Sequence, residues 1–185
     1  MAFDTNSDKK LLASSFDCYS KENLSKILLA EVKKVTRNKP YVKKIYFAGP
    51  WFSDKGQLLH SSCKRIYELV KDKSDYRVYF PNDFHSENPK ECFDSDVNEI
   101  SSCDVLVALV DEKDVGTAWE IGMAYSLKKP IYLLGLDEST FTKKTNLMLA
   151  YTGKCFTFEK WAKFLTCGLG HNDFVNTEKN WEAIE

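Results

Sequence analysis

From Val105 to Val110 the chain runs through six apolar residues without a polar one among them. A strand with one wet face would alternate, so this run fits a parallel strand covered on both faces, although a buried helix segment can look similar. It is followed by Asp114-Val115-Gly116-Thr117-Ala118-Trp119-Glu120-Ile121-Gly122-Met123-Ala124, which reads as a helix starting just beyond the strand. In open α/β sheets, ligands gather at the carboxyl ends of strands. Glu120 stands in such a place, with Gly122 and Ala124 allowing close helix packing.

The rest of the chain repeats this alternation. Lys44 to Ala48 is a strand candidate closed by Gly49-Pro50, which cannot continue a regular central strand. Helix-like spacing follows over 57–73, then a strand from Arg77 to Phe80 ended by Pro81. A helix over 91–102 leads into the strand 104–110. The Glu120 helix runs to about Lys128, followed by strands at 130–136 and 154–158 and a helix over 159–168. Strand and helix in alternation predict an α/β fold: a doubly wound, Rossmann- or flavodoxin-like, mainly parallel sheet with helices on both faces. Upstream, Leu24, Ile27, Leu28, Val32 and Val35 fall at helical spacing. Residues 1–42 therefore read as an extension with one amphipathic helix, and 43–185 as the α/β domain.

Composition bears on which partners to expect. A net charge of −1 over 185 residues gives no bulk field toward nucleic acid or an anionic membrane. No apolar run approaches the roughly 20 residues that cross a bilayer, and the first residues lack the layout of a secretory signal. Six cysteines without a CxxC pair and three histidines without ligand spacing argue against a metal site. Free thiols in a reducing cytoplasm are the plain reading. Neither GxGxxG nor a phosphate-binding GxxxxGK[ST] loop is present, so no cofactor is expected.

Three carboxyls could carry chemistry. Glu120 lies about a turn past the strand end, Asp114 in the intervening loop, and Asp96 on the helix feeding the same strand. They converge only if that helix packs beside the strand. One ionised carboxylate can attack an electrophilic carbon while a protonated one serves the leaving group, a division of labour that retaining glycosyl transfer requires. Acids near helix starts are also commonly caps and dipole partners. In the loop after the first strand, Gly49 permits close approach of a ligand to the backbone. Trp51 and Phe52 could stack on a planar ring or equally fill core beneath the sheet.

Together, Lys44 to Phe52, Asp96 to Ile100 with Cys103-Asp104, Asp114 to Gly122, and Asn146-Leu147-Met148 resemble the nucleoside 2-deoxyribosyltransferase family. The resemblance covers roughly residues 43–150, and the Asp114–Gly122 segment is its most specific part. It implies that Glu120 is the nucleophile at C1′ of a 2′-deoxynucleoside and that Tyr46 orients that carboxylate. Asp114 would hold the 3′-hydroxyl and Asp96 would serve proton transfer to the leaving base. Trp51 and Phe52 would line the base pocket, with Asn82, Asp83 or His85 as candidate contacts to the base edge. Asn146 would reach the 5′-hydroxyl in a neighbouring subunit's site, implying a homo-oligomer that is at least a dimer. The first forty-odd residues and the C-terminal tail have no clear counterpart in the family.

The function expected is transfer of 2-deoxyribose between nucleobases, with a 2′-deoxynucleoside and a free base as partners and no nucleic-acid polymer or membrane. An N-glycosidase acting on deoxynucleosides or their 5′-monophosphates is the nearest alternative. The relatives with that activity carry serine where this chain has Asp114. A nucleoside-binding domain without catalysis is the alternative of another class.

Overall fold

The computed structural model describes residues 43–141 and 147–177. The helix expected over 24–35, the tail beyond 177 and Asn146 lie outside the described residues.

Five strands, β1 (Lys43–Ala48), β2 (Tyr76–Tyr79), β3 (Val105–Leu109), β4 (Ile131–Gly135) and β5 (Lys154–Thr157), form one sheet. Their order is β2-β1-β3-β4-β5, and every neighbouring pair is parallel. This is the flavodoxin-like order, in which winding reverses between β1 and β3 and opens a crevice at their carboxyl ends. The connecting helices are α1 (Asp54–Val70), α2 (Pro89–Ser102), α3 (Val115–Ser126), the single turn α4 (Leu147–Ala150) and α5 (Trp161–Thr166).

Caps decide where the helices begin. The Ser53 hydroxyl accepts from Gly56 N at 2.9 Å and starts α1. Asn88, followed by Pro89 in the first turn, accepts from Lys90 N at 3.0 Å and starts α2. Apolar periodicity places these starts at 57 and 91, three and two residues late, because caps are polar and precede the buried stripe. The α4 turn and the 3₁₀ turns at Glu138–Phe141 and His171–Asp173 carry no such stripe and were not expected.

Side chains alternate across each strand, so the sheet has two distinct faces. Tyr46, Ala48, Leu106, Ala108 and Leu133 join Ile100 of α2 with Ile121 and Ala124 of α3 in one core. On the other face Phe47 packs on Phe80 and Trp161 with ring centroids 5.1 and 5.4 Å apart. There Phe164 stacks on Phe156 at 5.2 Å, and Trp161 Nε1 donates to the Cys63 carbonyl of α1 at 3.0 Å. Among the described residues, no helix is long and apolar enough to cross a membrane.

Candidate active site

Tyr46 pairs in register with Tyr79 of β2 on one side and Leu106 of β3 on the other. Strand alternation sends its side chain toward α2 and α3, where it is fully buried. Its hydroxyl donates to Glu120 Oε1 at 2.5 Å. Asp114 caps α3 and Glu120 follows six residues later, about a turn and a half along, on the flank that meets β1. The helix carrying Asp96 does pack beside this site, so the three acids converge.

The convergence has an electrostatic signature. Burial pushes the Glu120 carboxyl up to about 8, the Tyr46 hydrogen bond opposes that rise, and the charges of Asp96 and Asp114 add to it. Burial also raises Asp96, partly offset by its hydrogen bond to Tyr46 and reinforced by Glu99. Tyr46 itself is driven far upward by burial and by the Glu120 charge, so it remains a donor. A carboxyl kept near its ionisation point, beside a second one and a phenol that cannot ionise, suits nucleophilic and proton-transfer work.

Asp114 is a cap as well as a neighbour. Its Oδ2 accepts from Thr117 N at 2.7 Å and Thr117 Oγ1 at 2.9 Å. Both bonds use one oxygen, Oδ2.

The aromatics after β1 do not fill the core. Phe52 is 92% exposed and Trp51 37%, so the core-filling alternative for them falls. Trp51 meets the edge of buried His60 at 5.3 Å, and His60 in turn abuts Phe47 and Phe80. Burial lowers His60 to about 4, which makes it a neutral wedge at ordinary pH. The Trp51 carbonyl accepts from Gln57 Nε2 at 3.0 Å. A methyl at Gly49 would lie 3.4 Å from His60 and Leu109, whereas one at Gly56 would strike the Pro50 carbonyl at 2.8 Å. Gly56 therefore lets α1 close against this loop.

Two further acids brace the crevice. Ser53 bonds Glu112, joining the loop after β1 to the loop after β3. Asp111 accepts from Leu136 N at 3.0 Å and from Thr140 Oγ1 at 2.7 Å, clamping the segment that leads toward Asn146. His85 is exposed, and among the described residues no contact ties it to the acids. Asp83 is occupied by an ion pair with Lys64. No group of three or more described His, Cys, Asp or Glu side chains is placed to hold a metal ion.

Sequence reasoning missed Tyr79, His60 and Asp111. Tyr79 was findable, because parallel pairing of the two tyrosine-bearing strands puts it beside Tyr46. The other two act through loops whose approach no local pattern records.

Beside the acids, on the other flank of α3, lies an apolar groove of about 670 Å³ reached by Asp114, Ala118, Gly122, Tyr125, Met148 and Tyr151. Val115 at its lip is 82% exposed and Met148 77%.

The 2-deoxyribosyltransferase of the psychrotolerant bacterium Bacillus psychrosaccharolyticus is similar in structure at 25% identity and a TM-score of 0.53, covering 65% of this chain and 88% of that one. The 2-deoxyribosyltransferase of Leishmania mexicana shares 28% identity at a TM-score of 0.43, over 51% of this chain and 65% of that one. A CMP N-glycosidase of Clostridium botulinum shares 22% at a TM-score of 0.43, over 66% and 94% respectively. None of the curated proteins matches the chain by sequence. Residues 45–157, which run from β1 to the end of β5 and hold Tyr46, Asp96, Asp114 and Glu120, match an enzyme family as one continuous block, and the chain belongs to it: the nucleoside 2-deoxyribosyltransferases.

Proposed function

We propose that the protein transfers 2-deoxyribose between nucleobases through a covalent intermediate on Glu120. The observation that carries this reading is the 2.5 Å bond from Tyr46 to Glu120 with Asp96 against the same hydroxyl. In the first displacement a Glu120 oxygen bonds to C1′ while the bond from C1′ to the base nitrogen breaks. The base leaves with the electron pair and takes a proton from the Asp96 carboxyl. In the second, an incoming base gives its N–H proton to Asp96, its nitrogen bonds to C1′, and Glu120 departs. Two inversions give net retention. Water in place of a base completes hydrolysis.

Asp114 holds the sugar's 3′-hydroxyl with its other oxygen in this reading, and Trp51 with Phe52 flanks the base. Asn146 and the apolar groove belong to a dimer, in which a second copy covers Val115, Tyr125, Met148 and Tyr151. An apolar surface of this kind on one side of a helix favours burial against a partner.

Incubation of a deoxynucleoside with a second base, followed by chromatography, tests transfer. Mass spectrometry of a 2-fluoro-sugar adduct on Glu120 tests the intermediate. Release of base from dAMP in preference to deoxyadenosine would replace transfer with the nucleotide N-glycosidase reading. Asp114 opposes that outcome, since a 5′-phosphate is better met by hydroxyl and backbone donors than by a carboxylate.

A further inference from the structure

We propose that Tyr79, with Ser95, is a positioning device for the proton-bearing half of the site. The proposal rests on the reading above, in which Asp96 exchanges a proton with the base. β1 and β2 pair Tyr46 with Tyr79, side by side on one face of the sheet. Their rings stack at 5.7 Å and 24°. The Tyr79 hydroxyl bonds Ser95 Oγ at 3.1 Å, one residue before Asp96. One side chain thus touches both the phenol that holds Glu120 and the helical turn that carries the second carboxyl.

The consequence concerns how far apart two groups are held. α2 is anchored near its C-terminal end, where Lys44 pairs with Glu99 and donates to Ser102. Nearer its N-terminus, the helix meets the sheet through the Tyr79–Ser95 bond and, one residue on, through the hydrogen bond between Asp96 and Tyr46. Loss of the Tyr79–Ser95 bond lets the turn with Asp96 move relative to Tyr46, and displacements well under 1 Å alter both proton transfer and coupling between charges. Stacking alone would fix Tyr46, whereas the hydroxyl adds the register of α2 against it.

The groups facing these residues set the pH behaviour. Tyr79 faces Asp96 and Glu99 from α2 and Asp83 from the turn after β2. Tyr46 faces Glu120 from α3 and Asp96 from α2. The Lys44 amine from β1 neutralises Glu99.

The test uses Tyr79→Phe, which keeps the ring and drops the hydroxyl, and Ser95→Ala, which removes the other end of the same bond. Carboxyl ¹³C NMR titration of Asp96 and Glu120 and pH profiles of base exchange are measured for each variant and for the pair combined. Each single variant is expected to move the Asp96 midpoint by about 0.5 unit or more. Each is also expected to lower kcat roughly three- to tenfold with KM nearly unchanged. The double variant should be no worse than either single one, because both remove one bond. Unchanged Asp96 and Glu120 midpoints in both variants, or fully additive losses, overturn the proposal. Absence of base exchange by the unaltered protein would overturn the proposed function instead, while the NMR titration would still decide the placement of Asp96.

Discussion

The two faces of the sheet solve different problems with the same strands. On the α1 and α5 side, Phe47, Phe80, Phe156, Trp161 and Phe164 meet ring to ring, and the one indole N–H has its partner. On the α2 and α3 side, aliphatic packing surrounds Tyr46, Glu120 and Asp96, all of them held away from their ordinary ionisation. Adjacent residues of β1, Tyr46 and Phe47, divide between these duties. The lesson is that stability comes from the saturated face, which permits the other to hold groups that cost stability.

The sharpest break in this comparison is Glu120→Gln. Base exchange should fall by at least about a thousandfold in steady-state kinetics, since nothing else replaces a nucleophile, while the protein stays folded. Trp161→Ala on the opposite face should reverse the pattern. A loss of about 3–5 kcal/mol in denaturant unfolding is expected from removing a buried aromatic, with the shape of the activity–pH profile retained.

A third test works through pH. Folded Glu120 holds its proton up to about 8, against 4.5 for an ordinary glutamate. The stability contributed by this protonated form is complete below 4.5 and is lost as pH rises through 8. Glu120→Gln should therefore match the parent at pH 4 and exceed it at pH 8.5 by about 1–2 kcal/mol, less than the full shift because the carboxyl is partly open to water. In catalysis the sign reverses: kcat/KM should climb toward pH 8 as Glu120 ionises. Smallest in energy is Gly122→Arg. A side chain there enters open space in a single copy, so unfolding should change by about 1 kcal/mol or less. Sedimentation should nonetheless show the proposed dimer split, with activity reduced.

Much of this was readable from sequence for reasons the structure makes plain. The apolar run 105–110 fitted a strand covered on both faces, and it forms one; order along the chain set Asp114 and Glu120 just past its end, whereas Tyr46 came only with the family resemblance. Asp96 was weaker, because its value depends on α2 packing against β1, a long-range fact. The exposure of Trp51 and Phe52 was undecidable, since aromatics after a strand serve core and rim equally. His85 was a guess from proximity in sequence, and it stands exposed with no described contact to the acids. Helix starts slipped wherever a polar cap preceded the apolar stripe.

Asp114 and Glu120 ride on one rigid rod. Six residues at about 1.5 Å each separate them by roughly 9 Å along its axis, and Thr117 pins the nearer end. Under the proposed reading this rod is a gauge: it measures a sugar from its ring hydroxyl to its anomeric carbon and admits only one size. Selectivity for a small furanose would then be written into the pitch of a helix rather than into the shape of a loop.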